Sequence, residues 1–523
     1  MAPQKSDRCV VPDAGRKVGG TRDEHLGGGK AATVKERTRQ LGLRFETAEE
    51  AVEKSTAVAD DGMDTSRLVP APFAVPKSKR KKKNASSATM EEVCERLVEA
   101  FQNVASNDGA AGPDRQSIEE VMSHLPTLLP ELRADLLVGS YVPGNIRRVW
   151  IPKASGGQRG LGIPNVVDRV VQEAVRQVLE PLYEPTFHDE SHGFRPGRSC
   201  HTAIKAAYEH VEAGYEWVVD IDLEKFFDKV NHQRLMARLA ERVGDRSLLV
   251  LVGRMLKAAV VMPDGVLVAS EEGVPQGGPL SPLLSNIVLD ELDGELRRRG
   301  HRFVRYADDC NIYVRSERAG QRVMASVVAF IERRLRLKVN AAKSAVARPE
   351  ERHFLGFRLR REPLEGDVEV MLSVRSKKRI DEKIRELTPR TWGRSMSDCI
   401  RRINAYALGW LGFFGICTAG VERTLGGLDA HIRRRLRAIQ LKHWKRKSTI
   451  ASKLTKLGVS NKLAWRGTYG GRRSLWSLSH SPAVERGLRN AYFAERGLVS
   501  LQAEWRRRGK SIGASVQLRL ALG

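Results

Sequence analysis

Two adjacent carboxylates in the middle of an apolar hairpin constrain this chain more than any other feature of its sequence. The stretch Phe303 to Tyr306 leads into Asp308 and Asp309, and Cys310 to Val314 leads away with the alternating polarity of a β-strand. Neighbouring aspartates repel each other unless a cation neutralises them, so the pair predicts a site for a hard ion such as Mg²⁺. An acidic surface turn is the alternative, and the apolar flanks argue against it.

A second acidic segment lies upstream. The run from Val218 to Ile221 predicts a buried strand that ends at Asp222. Phosphoryl transfer by two metal ions requires carboxylates from separate strand ends, with the ions about 3.5–4 Å apart. We expect Asp222 and Asp308 to supply them, with the backbone carbonyl of Leu223 as a further oxygen ligand. Asp228 is expected to cap the helix that follows.

Charge and composition point to a polyanionic partner. The 523 residues include 89 Lys and Arg against 63 Asp and Glu, which gives a formal charge of +26 and a pI near 10.0. Such a surplus favours a nucleic acid. No apolar run approaches the ~18 residues that span a bilayer, so we expect a cytoplasmic protein without a membrane partner. Six scattered cysteines form no Cys-x-x-Cys pair, so no zinc site is predicted.

Several further blocks accompany the two acidic segments in a fixed order. The blocks are Gly109 to Asp114, Arg148 to Lys153, Arg159 to Pro164, Ser191 to Ser199, Gly273 to Leu283, Lys343-Ser344 and Phe354 to Phe357. Together with the acidic segments they resemble the group II intron reverse transcriptase/maturase family, from about residue 107 to about residue 505. The order of the blocks is more specific than any single block.

The resemblance implies a right-hand polymerase of the α/β (α+β) class, whose fingers and palm contain an antiparallel sheet and precede an α-helical thumb/maturase domain. No zinc-binding nuclease domain of the HNH type is expected in this chain. The implied divisions are a disordered basic leader at 1–88, an N-terminal extension at 89–145, fingers and palm at 146–365, thumb/maturase at 366–460 and a C-terminal nucleic-acid-binding segment at 461–523.

The resemblance also implies a function. The chain would be an RNA-directed DNA polymerase that uses Mg²⁺, with Asp222, Asp308 and Asp309 as catalytic residues. It would bind its group II intron RNA, assist splicing, and copy the intron into DNA during retromobility. Its partners would then be intron RNA, an RNA template, a DNA primer, dNTPs and target DNA, and a homodimer is left open.

Five residues are expected to contact the incoming nucleotide. Lys153 and Arg159 lie on either side of a Gly-Gly turn, as a cationic loop over a triphosphate would require. A solvated basic loop is the alternative. By the resemblance, Gln276 and Lys343 also line the nucleotide site, and Phe227 selects dNTPs by clashing with a 2′-hydroxyl. Core packing is an equal alternative for Phe227.

The region after residue 373 is basic and helical. Residues 428–447 place cations beside apolar residues at helical spacing, so that one face can pack while the other follows phosphates. The resemblance to a maturase domain assigns these cations to intron RNA, and a generic basic helical binder is the alternative. The expected RNA-binding residues are Arg433, Arg434, Arg435, Arg437, Lys442 and Lys445.

Two other functions remain as alternatives. A reverse transcriptase of another bacterial lineage, such as a retron or defence enzyme, would lack the maturase resemblance after residue 373. A non-catalytic RNA-binding splicing factor on an inactive polymerase scaffold would have no need of Asp222, Asp308 and Asp309, all of which are present.

Overall fold

The computed structural model describes residues 88–152, 157–362, 366–389, 391–470 and 474–510. The predicted leader, apart from its last residue, and Lys153 lie outside these ranges. Within them, no helix combines the length and the apolar character needed to cross a membrane.

Four helices open the described chain, and the first three of them pack on one long helix. Thr89 caps the first, and Ser117 forms a reciprocal capping box with Glu120 at the third. Val93 and Phe101 are buried in the core. These elements are α1 (Met90–Glu95), α2 (Leu97–Ser106), α3 (Ile118–Ser123), α4 (Leu125–Val138) and the long α5 (Val166–Tyr183).

The fingers contain a four-stranded sheet in the order β2-β1-β4-β5. The strand β1 pairs antiparallel with β2 and parallel with β4, and β4 pairs antiparallel with β5. Their bounds are β1 (Ile146–Pro152), β2 (Gln158–Ile163), β4 (Val260–Val261) and β5 (Leu267–Val268).

The palm contains a second four-stranded sheet, entirely antiparallel, in the order β6-β7-β3-β8. Val218, Val219 and Ile221 of β3 are almost fully buried, so the predicted buried strand is confirmed. The strands are β3 (Trp217–Asp222), β6 (Arg302–Tyr306), β7 (Asp309–Val314) and β8 (Ala345–Ala347).

Helices surround the palm sheet and connect its strands. They are α6 (Cys200–Glu212), α7 (His232–Ala240), α8 (Arg246–Lys257), α9 (Ser281–Arg298) and α10 (Glu317–Phe330). A π-helical turn, Ile331–Leu335, extends α10, and 3₁₀ turns occupy Glu184–Thr186 and Phe226–Asp228.

The remainder is helical after one antiparallel ribbon. The ribbon is β9 (Phe357–Arg361) with β10 (Val368–Leu372). The basic helical region predicted after residue 373 begins with α11 (Val374–Leu387). The cationic helix predicted at 428–447 is α13 (Val421–Trp444), which begins and ends earlier than expected. The other elements are α12 (Met396–Phe414), α13 (Val421–Trp444), α14 (Lys447–Lys456), α15 (Asn461–Tyr469), α16 (Leu475–Leu478), α17 (Pro482–Gly487), α18 (Asn490–Ala494) and α19 (Leu501–Lys510).

Two hydrophobic cores hold these elements together. One joins the N-terminal helices, the long α5, the helices α7 to α9 and one side of the palm. The other joins α6 and the opposite side of the palm to the ribbon and the C-terminal helices. The palm sheet therefore lies between the two cores, and the acidic hairpin is held from both sides. The expected α/β fingers and palm followed by a helical region are confirmed.

Candidate active site

The acidic pair lies at a tight hairpin, as its flanks predict. Tyr306 pairs with Asp309 across β6 and β7, which leaves Ala307 and Asp308 as a two-residue turn. Ala307 has a φ of 56°. A positive φ at the first central position is typical of the turns that match the twist of hairpin strands. The backbone is therefore bent sharply at the residue before the carboxylates.

Strand register brings Asp222 opposite Asp309. The two are direct partners of β3 and β7, so their side chains share one face, with Cβ atoms about 4.5–5.5 Å apart. Asp308, which we expect to act together with Asp222, occupies the turn beside this facing pair and is only 1% exposed. Leu223, whose carbonyl was expected to help, is buried and bridges to Val339.

The donor set suits a divalent cation. Asp222, Asp308 and Asp309 supply hard carboxylate oxygens, and Mg²⁺ is usually held by one or two carboxylates together with substrate phosphates. In the described ranges, no three or more His, Cys, Asp or Glu side chains are gathered in a metal-binding group. Asp222 and Asp309 form a facing pair, and Asp308 is their buried neighbour.

A buried network beneath the turn fixes its position. Arg305 and Asp293 are both completely buried and joined by two hydrogen bonds, Nε to Oδ1 at 2.7 Å and Nη2 to Oδ2 at 2.5 Å. Nη1 of Arg305 also donates to the carbonyl of Ala307 at 2.7 Å and to Oδ1 of Asn286 at 3.0 Å. The arginine thereby ties the turn to α9.

The Ser191 to Ser199 block supports the same turn from the side. The backbone N–H of His192 donates to the carbonyl of Arg305, and the N–H of Arg305 donates to the carbonyl of Glu190, both at 2.8 Å. A Cβ atom placed on Gly193 would lie 2.2 Å from the backbone nitrogen of Ala307. Sequence reasoning assigned no role to this block, although its position in the motif order marked it.

Lys343 stands beside the facing pair. Its Nζ is 3.7 Å from Oδ1 of Asp222. Arg352 donates to Oδ2 of Asp220 from Nε at 2.9 Å and Nη2 at 2.6 Å, and Nη2 also donates to the carbonyl of Lys343. Burial raises the pKa of Asp220, and Arg352 opposes that rise. The Asp220–Arg352 pair, which sequence reasoning did not identify, thus holds the segment that carries Lys343.

Arg159 and Gln276, both expected to contact the nucleotide, are hydrogen-bonded to each other. Nε of Arg159 donates to Oε1 of Gln276 at 2.6 Å, and Gln276 is 9% exposed. A Cβ on Gly277 would lie 2.2 Å from the carbonyl oxygen of Gly162, so β2 and the Gln276 turn are in close contact. Burial lowers the pKa of Arg159, and the carboxylate of Asp228 partly offsets this.

Phe227 is a buried residue next to the Gln276 turn. It is 3% exposed and packs edge-to-face on Phe226, with ring centroids 5.4 Å apart. Its carbonyl accepts from the N–H of Val274 at 2.6 Å, which brings the Gln276 turn next to it. The expected helix cap at Asp228 was wrong, because Asn231 caps α7 through a hydrogen bond from the N–H of Arg234.

Some cations of α13 are used in contacts within the protein, and others are exposed to solvent. Arg437, expected to bind RNA, is 8% exposed, donates to the carbonyl of Leu488 at 3.0 Å and pairs with Glu485 at 3.1 Å. Its guanidinium is thus used inside the protein, and burial lowers its pKa. Arg435 donates to the side chain and carbonyl of Thr388, at the end of α11.

The remaining expected RNA contacts are more open. Arg434 stacks over the ring of Trp476 at 4.3 Å, and Arg433 is partly exposed. Lys442 and Lys445 are exposed at the end of the helix. The six residues therefore do not form one continuous phosphate-binding face.

Comparison with known proteins identifies two regions of the chain. A family described as "Reverse transcriptase (RNA-dependent DNA polymerase)" matches residues 151–359, and one described as "Group II intron, maturase-specific domain" matches residues 377–458.

Individual relatives extend this result. Protein YkfC of Escherichia coli (strain K12) is 34% identical over 324 residues, which cover 54% of this chain and 85% of that protein. Group II intron-encoded protein LtrA of Lactococcus lactis subsp. cremoris is 38% identical over 205 residues, or 37% of this chain and 32% of LtrA. A solved chain titled "Partial Cas6-RT-Cas1--Cas2 complex" is 23% identical and covers 47% of this chain and 42% of its own length, with a TM-score of 0.31 that supports no conclusion.

Proposed function

Because the chain belongs to the group II intron reverse transcriptase and maturase family, we propose that it copies its parent intron RNA into DNA and assists the splicing of that RNA. The single observation that best supports DNA synthesis is the pairing of Asp222 with Asp309 beside the buried Asp308. The reverse transcriptase family implies a divalent metal in general, and we assign Mg²⁺.

The three carboxylates would hold the metal. Two Mg²⁺ ions, when bound, would lower the pKa of the primer 3′-hydroxyl and neutralise the triphosphate and the leaving pyrophosphate. The protein contributes rigidity. The Ala307-Asp308 turn is tied to α9 through Arg305, so the carboxylates need little reorganisation when substrate arrives.

The nucleotide would enter between the fingers and the carboxylates. Arg159 and Lys153 would contact the triphosphate, and Gln276 would help to orient the nucleotide. The hydrogen bond between Arg159 and Gln276 supports a shared site. Lys343, close to Asp222, would stabilise negative charge on the phosphates. The rigidly packed ring of Phe227 would exclude a 2′-hydroxyl.

The substrates would be an RNA template with a DNA primer, dNTPs, and the target DNA into which the intron copy is inserted. Intron RNA would contact the cationic surface of the C-terminal helices. Arg433, Arg434, Lys442 and Lys445 remain assigned to that contact, while Arg435 and Arg437 are assigned to packing because of their hydrogen bonds within the protein.

Primer extension by the purified full chain tests the polymerase assignment. An RNA template with an annealed DNA primer, dNTPs and Mg²⁺ should yield DNA, and chelation of Mg²⁺ should stop synthesis. Asp222→Ala and Asp308→Ala should each reduce the rate by roughly 10²–10³-fold or more, the scale seen when one charge-stabilising group is removed from an active site. Glu271→Ala is a matched control, because Glu271 is exposed and outside the site.

A splicing assay separates the two activities. Asp222→Ala should still accelerate splicing of the parent intron RNA, because its helical region is unchanged. Extension by Asp222→Ala at the parent rate would reject the metal assignment. A wild-type chain that assists splicing but never extends a primer would instead indicate a non-catalytic splicing factor.

A further inference from the structure

A stacked aromatic pair stands on the surface of α15. The rings of Trp465 and Tyr469 are nearly parallel, at 9°, with centroids 5.5 Å apart. They are 41% and 48% exposed. Ala464 and Thr468, on the other face of the same helix, are 0% and 3% exposed, so the helix is firmly seated while the two rings remain accessible. The pair is thus held in a fixed stacked geometry on an exposed surface.

Cations surround the pair. Nζ of Lys447, at the start of α14, is 5.7 Å from the Tyr469 ring centroid. Lys462 and Arg466 are exposed on α15, and a spacing of three or four residues makes them neighbours of Trp465 and Tyr469.

The cations around the two rings form no ion pair with any described residue. Within the described part of the chain, none of the ion pairs involves Lys447, Lys462 or Arg466. Arg437 of α13, by contrast, is neutralised by Glu485. Positive charge on this face is therefore available to a partner outside the protein.

We propose that Trp465 and Tyr469 bind an unpaired nucleobase by extending their stack, while Lys447, Lys462 and Arg466 contact the adjoining phosphates. Exposed aromatic rings between unpaired cations match the two parts of single-stranded nucleic acid, a flat apolar base and a charged backbone. An apolar protein surface could contact the two rings. It would also remove water from three cations without supplying an opposite charge, which costs free energy. The inference rests on the proposed nucleic-acid function and adds a specific contact site to it.

Intron RNA and target DNA both offer unpaired bases, and the stacking chemistry is the same for each. The experiment therefore uses matched RNA and DNA oligonucleotides of one sequence. Each carries 5-iodouracil or 5-iodocytosine, which forms a photocrosslink to an aromatic residue in contact with the base. The full chain is first saturated with an unlabelled primer–template duplex, so that the polymerase cleft is already filled.

Mass spectrometry of the crosslinked peptides should locate adducts on Trp465 or Tyr469. A stronger adduct with RNA would assign the site to intron RNA, and a stronger adduct with DNA would assign it to the target strand. Both outcomes support the stacking site. Adducts elsewhere in the chain with none on α15, for either oligonucleotide, would overturn it.

Affinity measurements provide the second readout. Trp465→Ala should weaken oligonucleotide binding about 5- to 150-fold, the range for loss of one base–aromatic stack. Trp465→Phe should retain most of the affinity, and Leu457→Ala, which removes another exposed apolar side chain, should have no effect. An oligonucleotide with abasic positions should bind wild type and Trp465→Ala equally.

Charge and stacking are separable at this site. Lys462→Gln combined with Arg466→Gln should flatten the log–log salt dependence by about 0.7 per lost phosphate contact. Trp465→Ala should leave that slope unchanged. If Trp465→Ala binds the oligonucleotide with wild-type affinity, the proposed stacking site is wrong. Primer extension measured in parallel reports on the proposed function alone, because α15 lies outside the carboxylate site.

Discussion

Arg305 and Asp293 form a bidentate ion pair in which neither side chain is exposed to solvent. The pair lies next to the turn that contains Asp308. Burial by itself lowers the pKa of Arg305, but the charge and hydrogen bonds of Asp293 outweigh it and hold the pKa above its ordinary value. The pair links α9 to β6, and Arg305 bonds the carbonyl of Ala307. The geometry of the carboxylate site therefore depends on a charge pair that never contacts substrate.

Asp293→Ala should lower the free energy of unfolding by about 3–5 kcal/mol, because it leaves the guanidinium of Arg305 buried without a counter-charge. Urea denaturation followed by circular dichroism measures this. Combining Asp293→Leu with Arg305→Met should recover most of the stability, since no uncompensated charge remains. Primer extension should stay low in that double variant because the bond to Ala307 is absent. An Asp293→Ala protein as stable as wild type would contradict this account.

Gly193→Ala should displace the acidic turn. The added methyl group would lie 2.2 Å from the backbone nitrogen of Ala307, so backbone must move. We expect a loss of about 1–3 kcal/mol of stability and a larger proportional loss of primer extension. Gly294→Ala is the matched control. Gly294 lies in α9 with open space around its Cβ position, so the change should be neutral or stabilise by about 0.5–1 kcal/mol. Equal extension rates in the two variants would argue against close packing at Gly193.

Phe227→Ala should increase incorporation of ribonucleotides relative to dNTPs. Removing the ring would open space for a 2′-hydroxyl. Because the side chain is also buried, a stability loss of about 3–5 kcal/mol is expected. Phe226→Ala, which removes the neighbouring buried ring, controls for that loss. Single-nucleotide incorporation gives the ratio of rates, and unchanged sugar selectivity in Phe227→Ala alone would reject the gate.

Arg437→Gln should destabilise the protein without changing the salt dependence of RNA binding. It removes buried hydrogen bonds to Leu488 and Glu485, worth about 1–3 kcal/mol together with the groups left unpaired. Arg433→Gln is the matched comparison on the same helix. It should leave stability unchanged and flatten the log–log slope by about 0.7–0.9 if it removes one phosphate contact. The reverse pattern would show that Arg437 contacts RNA.

Acid should weaken the support of the active-site turn through His192. Burial, aided by the charges of Arg198, Arg195 and Arg305, lowers the pKa of His192 to about 4. Between its ordinary pKa of about 6.5 and 4, the unfolded chain binds the extra proton and the folded chain does not. Stability from this residue is therefore complete above pH 6.5, falls as the pH drops, and levels off below about 4.

Urea denaturation at pH values from 7 to 4 measures this dependence. His192→Gln should reduce the acid-induced loss, because Gln does not titrate and retains a partner for Thr202. Identical pH profiles for wild type and His192→Gln would exclude this contribution.

The sequence alone was sufficient for the local parts of the site. A short apolar run predicts β3, and alternating polarity after Asp309 predicts the second strand of the β6–β7 hairpin. A strand places successive side chains on opposite faces wherever it lies in the protein. The chemistry of the proposed metal site follows from three carboxylates at strand ends and a turn. The order of the sequence blocks was enough to predict the polymerase and maturase regions.

Only the tertiary structure decided which partners these residues meet. Asp222 faces Asp309 because of the register between β3 and β7, which the residues around either aspartate do not specify. Arg433 and Arg437 lie on one basic helix, yet only Arg437 is buried against Glu485, 48 residues away in sequence. The local sequence determines secondary structure and charge. Burial and ion pairing depend on distant segments that meet only after folding. The tertiary structure therefore decides which cations remain for nucleic acid.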